Sequence, residues 1–486
     1  MADYVRASGD VAFLTAQRTA IEKAWAFETD PAHDTDHDGI YDNSQGTGWV
    51  EGWPGAMPHQ EIYLALLVQQ SAEAMSYIEN LLGDRTKSGL AKKSALSMAM
   101  TIEKEYYDAE KGCYDFSRDV AKDGSIAMDR TVTVYPAMAW WDPEGGKSIL
   151  AHPDKCLGQL AGHALNTDWG LRDVANDEKI YDGLSYHQGS VWPLFTGWAA
   201  MAEFRGGQPL AGYQMLMENA NLTKAQDLGS VTELLSGDYF VPFGRSTSHQ
   251  LWSSAMVITP VLRGLFGISI DAQTKTITVN PRLPAGWDHA EIQALPLHGA
   301  TGPQNLIFER HGTMLEVAFG DSAAAREWRM RSDLPGVTFG AVATGRMPGS
   351  GGLKGLRIPL LALEVDETLA GEPAVIEQSA AVMAVPPVPG ARNSRFRVLS
   401  SHAEGRKLVL SVEGLAGTTG YLRLVRHGRF VPKVQAEPPV AAGTEEATAE
   451  VSVVLDAEQD ATVPILLHLH FPPGEGWKTV TVTLTW

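Results

Sequence analysis

Cysteine is almost absent: the 486 residues include only Cys113 and Cys156. That excludes a disulfide framework, permits at most one bridge, and leaves the redox compartment open. No apolar run approaches the length of a membrane span. The opening "MADYVRASGDVAFL" lacks the basic start and apolar block of a signal peptide, so no compartment can be assigned. Positive charge is scarce too, with 39 Lys and Arg against 58 Asp and Glu, a net charge of −19. No basic stripe interrupts that acidity, which excludes nucleic acid and anionic membranes as partners and suits a neutral substrate or a cation. Short-period repeats are missing. What the chain does have is length enough for two or three domains.

Residues 1–268 read as mostly helical. Helices are expected at 9–28, 59–82, 87–107, 155–165, 189–205, 208–222 and 251–267, with Asp10 capping the first and Pro58 opening the second. Within the second, Leu67, Ser71, Ala74, Ile78 and Leu81 recur at helical spacing and predict a core stripe. Long loops rich in Trp, Gly, Asp and His separate most of these helices, and such loops carry function. From 269 the pattern changes. "ISIDAQTKTITVNPRL", "MLEVAFGD" and "KTVTVTLTW" alternate apolar and polar residues, the signature of an antiparallel β-sandwich region. Pro/Ala-rich stretches at 370–393 and 432–448 read as connectors. The expected division is a helical domain at 1–268, a β-sandwich at 269–390 and a second β-rich domain at 391–486.

In "TGWVEGWPGAMPHQEIYLAL" (47–66), Glu51 stands between Trp49 and Trp53 in a Gly/Pro-rich loop. An unpaired charge is costly to bury, so this is a poor core element and a sensible active-site element. A second such layout occurs in "GSVTELLSGDYFVPFGRSTSHQLWSSA" (229–255). There Glu233 precedes an aromatic loop and a helix opening with His249, Gln250 and Trp252. Two loop carboxylates framed by aromatics are what glycoside hydrolysis requires, one to protonate the leaving oxygen and one to activate water. Asp238 is an alternative base. Glu61, in the first turn of its expected helix, competes for the acid role or binds a hydroxyl.

Between these loops lie "NTDWGLRDV" and "YDGLSYHQGSVWPLFTGWAAMAEF". The ordered set of acidic loop, "DWGLR", "YHQGSVWP", a glutamate followed by "SHQLWSSA", and "TVNPRLPAGW" resembles the six-hairpin glycosidases. In particular it resembles their bacterial glycogen-debranching-enzyme-like (amylo-alpha-1,6-glucosidase-like) group, over roughly residues 3–290. The resemblance implies an (α/α)6 barrel and an inverting mechanism with Glu51 as general acid and Glu233 as general base. It also implies sugar subsites lined by Trp49, Trp53, Asp168, Trp169, Arg172, Tyr186, His187, Trp192, His249 and Trp252, with Gln250 beside them. The family's barrels have twelve helices, whereas seven or eight are legible here, so an N-terminally incomplete barrel is expected.

The expected activity is hydrolysis of an α-linked oligo- or polysaccharide, debranching or exo-glucosidase-like, with no cofactor required for the chemistry. The alternatives are a glycosidase of the same architecture for another sugar, such as α-L-rhamnosides, and a non-catalytic carbohydrate-binding remnant. A separate motif, "DTDHDGIYDNSQ" (34–45), places Asp34, Asp36 and Asp38 at alternating positions before Gly39. With the Ile40 carbonyl and Asp42 they have the spacing of a Ca²⁺ loop, although Gln45 stands where such a loop has its bidentate Glu.

Overall fold

Helix caps and apolar periodicity set the first half of the molecule. The computed structural model describes residues 1–43, 53, 57–142, 148–152, 154–244, 246–320, 327–342, 354–366, 386–437, 452–456 and 465–486. Helices α1 (Ala2–Ser8) and α2 (Val11–Glu28) meet at Gly9, whose φ of +73° ends the first. The Asp10 carboxylate then accepts the Phe13 N–H at 2.9 Å to start the second. Next come α3 (Ile62–Leu81) and α4 (Arg85–Tyr106), the latter capped by Asp84, which accepts from Lys87 N at 3.0 Å. After a β-rich insertion follow α5 (Asp154–Ala161), α6 (Pro193–Arg205), α7 (Pro209–Leu222) and α8 (Leu251–Thr259), the last running on as a π-turn over Pro260–Leu265.

Two expectations need correction. The buried face of α3 is built by Ile62, Ala65, Leu66, Ala72, Met75 and Ile78, while Leu67, Ser71, Ala74 and Leu81 are half-buried. The helix packs against both α4 and the 3-10 turn Tyr135–Trp140, so its covered arc is wider than one stripe and is centred elsewhere. Moreover, the helical region contains sheet. Ser117–Val120 pairs with Ile126–Asp129 on one side and with Gln60–Glu61 on the other. Tyr107–Asp108 pairs with Cys113–Tyr114. Cys113 bonds to Cys156 of α5, tying this insertion to the helices. Helix α6 is buried at every position from Pro193 to Phe204, Thr196 and Glu203 included.

Sheet takes over at Ile268. A five-stranded sheet runs in the order His289–Leu295, Gln304–His311, Met314–Phe319, Lys354–Pro359, Thr338–Ala341, and a three-stranded one in the order Arg329–Arg331, Thr276–Val279, Ile268–Asp271. Their ladders are antiparallel except that Arg329–Arg331 runs parallel to Thr276–Val279. The two sheets share a core with Phe204, Tyr213 and Leu216 of the helical part. Farther on, two four-stranded sheets enclose Val398, Leu410, Val412, Leu424, Leu467 and Val482. Leu363–Asp366 pairs with Thr419–Arg426 in one of them, so this last unit recruits a strand from before residue 390. Its alternating Leu363 and Val365 complete a face that would otherwise meet water.

Candidate active site

The loops before α6 and α8 run side by side. Isolated bridges join Arg172 to Val191, Val191 to Leu235 and Leu235 to Pro242, an irregular ladder across one end of the helical body. Glu233 sits on it, half-buried, with its N–H donating to Thr247 O at 2.9 Å. The Tyr186 hydroxyl donates to Glu233 Oε1 at 2.5 Å. Tyr186 is held in turn by Trp192 and His187, edge-on with ring centroids at 4.8 Å from each. Trp192 is buried and its indole N–H donates to Ser190 Oγ and to Tyr186 O. The carboxylate therefore has a phenol donor on one oxygen and an aromatic wall that fixes that donor.

From Trp192 ring contacts continue to Phe195, Tyr135, Phe116 and Trp53. Trp53 packs on Phe116 with ring centroids at 4.3 Å and donates to Asp129 Oδ2 at 2.9 Å. An aromatic seam thus connects the Glu233 loop with the segment that follows Glu51. Glu51 and Trp49 themselves lie outside the described residues. Glu61 precedes α3 as its N-cap, in a two-residue strand opposite Ser117, and is fully buried. It is not in the first helical turn, because the hairpin pulls the backbone extended there. A half-buried tyrosine and a buried aspartate that sequence reasoning did not single out share this region. Tyr63 is pushed up to about 12 by burial and by the Glu61 charge. Asp173 is fully buried and raised well above the ordinary carboxylate range by desolvation, only partly opposed by backbone N–H groups of Gly189 and Val174. Burial first, then Asp173 and Glu61, raise Tyr135 as well. The signal for Asp173 was its place in "DWGLRDV", one residue after a recognised arginine.

Other expected subsite residues are engaged differently. Asp168 is buried and accepts from the N–H groups of Ser394 and Arg395, each at 3.0 Å, and from Arg397 Nη2 at 3.3 Å. Its charge therefore fastens the last β unit to the helical part. Arg172, also buried, donates to Gly237 O, His163 O and Ala164 O, so its guanidinium is occupied by backbone carbonyls. Trp169 is fully buried and donates to Ser236 O at 2.9 Å. Together Trp169 and Arg172 set the turn that follows Glu233. Gln250 caps α8, and its N–H donates to Val231 O two residues before Glu233. Beyond it His249 and Trp252 are exposed, with His249 near Ser248 Oγ and Asp227. Asp238 is exposed and accepts from the Tyr181 hydroxyl at 2.8 Å.

In the acidic loop, carboxylate oxygens of Asp34, Asp36 and Asp38 lie within 4.8 Å of one another, the span that ligands around one Ca²⁺ require. Asp34 accepts the N–H groups of Asp38 and Gly39, and Asp38 accepts that of Ile40, so the loop wraps around its own acids. Burial and the neighbouring charges raise Asp34. The Ile40 carbonyl faces Gln60 Nε2 at 3.4 Å. Asp42 shares Gln60 Nε2 with Asp36 and the Ile40 carbonyl but is not among the three carboxylates that lie within 4.8 Å of one another. Burial would raise it, but hydrogen bonds from Thr35 and Gln60 and the nearby His59 outweigh that and lower it. Arg118 Nη1 reaches Asp38 Oδ2 at 2.5 Å as a counter-charge. The donor set fits a hard cation through three carboxylates, not four.

The described site is thus a helical body that presents a phenol-held carboxylate within an aromatic seam, followed by β units. Residues 61–259 match the amylo-alpha-1,6-glucosidase family. That stretch, 199 of the 486 residues, is the part of the chain similar to the family. No curated protein matches it by sequence. Among solved structures it is similar in fold to a sialidase, at a TM-score of 0.53 and 13% identity, covering 65% of this chain and 30% of that one. A GH78 family rhamnosidase of Bacillus sp. GL1 gives a TM-score of 0.48 at 14% identity, over 69% and 32% of the two chains. A GH63 mannosylglycerate hydrolase from Thermus thermophilus, in complex with Tris, gives 0.33 at 15%, over 41% and 45%. The chain spans about a third of the length of the first two.

Proposed function

We propose that this chain is the catalytic portion of an inverting glycoside hydrolase acting on an α-linked oligo- or polysaccharide. Its helical part would be a section of an (α/α)6-type barrel and its sheet regions β-sandwiches. The observation that carries the reading is the Tyr186–Glu233 contact at 2.5 Å within a glycosidase family domain. A carboxylate so held accepts a proton from a water placed opposite the leaving group, while Glu51 protonates the leaving oxygen. One displacement through an oxocarbenium-like transition state inverts the anomeric centre, and the two carboxyl groups would stand roughly 6.5–9.5 Å apart. Tyr186, His187, Gln250, Trp252 and Trp53 would be the described side chains that meet sugar. Asp34, Asp36 and Asp38 would hold Ca²⁺, stiffening the approach to Glu51 without entering the chemistry.

Proton NMR of the first-formed anomer tests the mechanism, since a product retaining the substrate's configuration refutes it. Glu233→Gln should abolish turnover of substrates with good and poor leaving groups alike, whereas Glu51→Gln should spare good leaving groups, which need little protonation. For the cation, the melting temperature should rise in millimolar Ca²⁺ relative to a chelated sample. Identical melts would leave the loop a solvated turn.

A further inference from the structure

The catalytic reading leaves unexplained a cavity of about 680 Å³ walled by Leu184, Tyr239, Val241 and Phe243, with Ser236 at its edge and Gly390 closing it from the last unit. This cavity adjoins the Glu233 loop through the backbone. Ser236 N donates to Val241 O at 2.9 Å and Phe243 N to Leu234 O at 3.4 Å. Ser236 is three residues from Glu233, so the chain itself limits their separation to about 10 Å. One ligand of two-ring length spans both.

The lining's chemistry narrows what that ligand is. Leu184, Val241 and Tyr239 are 65%, 45% and 40% exposed, an apolar surface left in water beside a polar site. Among the described residues, Ser236 Oγ and the Tyr239 hydroxyl are the lining's side-chain hydrogen-bonding groups, and both are engaged. Ser236 Oγ accepts from Asp238 N at 3.1 Å and Tyr239 N at 3.4 Å, and Tyr239 OH accepts from Arg392 Nη2 at 3.0 Å. A hexose here would lose water from several hydroxyls with few partners in return, whereas an aromatic or alkyl group asks for none. The walls are also fixed in place. Phe240 N donates to Ala391 O and Gly390 N to Phe240 O, and a Cβ on Gly237 would stand 2.0 Å from Gly189 O. A pre-formed apolar pocket next to a few convergent polar groups is the usual form of a small-ligand site.

We propose that this cleft receives the apolar aglycone of a glycoside whose sugar is presented to Glu233. The substrate class this adds to the α-linked oligosaccharides is a glycoside with an aromatic or alkyl group beside the scissile bond. The proposal rests on the glycoside hydrolase reading.

The test is calorimetric binding, to the full chain, of matched phenyl and methyl 1-thioglycosides of α-D-glucose, α-D-mannose and α-L-rhamnose, chosen because the thioglycosidic C–S bond resists hydrolysis. For the accepted sugar, the phenyl compound should bind about tenfold or more tightly than the methyl compound. Val241→Asp and Leu184→Ala, both at exposed positions, should bring that ratio toward one with the melting temperature unchanged. The proposal is overturned if no phenyl thioglycoside binds, if phenyl and methyl compounds bind equally, or if both variants keep the wild-type ratio. Hydrolysis of the matching O-glycosides by the same preparation separates the two readings. Phenyl preference without turnover sinks the hydrolase and leaves the cleft, whereas turnover without phenyl preference sinks the cleft alone.

Discussion

Removal of the Cys113–Cys156 bridge should cost the helical part a large share of its stability. The cysteines are 43 residues apart, and chain-entropy scaling for a closed loop of that size gives about 4 kcal/mol. The closed segment contains Asp129, which holds Trp53, Ser117, which pairs with Glu61, and Tyr135 of the aromatic seam. Loss of the bridge therefore loosens the frame of the candidate site as well as the unfolded chain's restraint. For a domain of about 250 residues, about 4 kcal/mol corresponds to a fall in melting temperature of about 8–16 °C. The measurement is scanning calorimetry of the Cys113→Ala/Cys156→Ala variant beside wild type, with thiols titrated under denaturing conditions. Two free thiols in untreated wild type would refute the bridge. A midpoint within about 1 °C of wild type in the variant would refute the reasoning from loop closure.

Further expectations concern buried charge and close packing. Burial pushes Glu218 up to about 8, so the folded state holds its proton. The stability this group contributes is complete below pH about 4.5 and is lost as pH rises through 8. Glu218→Gln should match wild type in urea at pH 4 and exceed it at pH 9, and an equal difference at both pH values would refute the assignment. Asp168→Asn and Arg397→Met should each destabilise by about 3–5 kcal/mol, because each strands a buried partner, and the double variant should lose less than their sum. Additivity within about 0.5 kcal/mol would mean that the pair is not coupled. Gly237→Ala must move backbone, since its Cβ would lie 2.0 Å from Gly189 O. A loss of about 1–3 kcal/mol is expected in thermal melts, and an unchanged melt would contradict that close approach.

Local chemistry was legible where a residue acts on its own neighbours. Asp10 could be read as a cap because an N-cap needs only a short acceptor ahead of an apolar period, and its bond to Phe13 N is that contact. The strand Lys407–Leu415 could be read from alternation because its buried positions recur every second residue. The small ladder of Gln60–Glu61 and Ser117–Val120 could not, since two paired residues across a gap of more than fifty carry no period.

Residue type alone determined the acidity, the helix-then-sheet order, the tightly spaced Asp34, Asp36 and Asp38, and the candidate carboxylates in aromatic loops. Only the tertiary structure decided which of those polar groups remain available. Asp168 and Arg172 read as sugar-binding because they are charged and lie in a motif, yet one is occupied by the backbone at 394–395 together with Arg397, and the other by three carbonyls. Trp169 is enclosed while Trp252 stays partly exposed, although both flank loops of similar composition. Hydrogen-bonding capacity is a property of the side chain. Whether it is already spent depends on which partners folding brings to hydrogen-bonding distance, and for Asp168 those lie more than two hundred residues away in the chain.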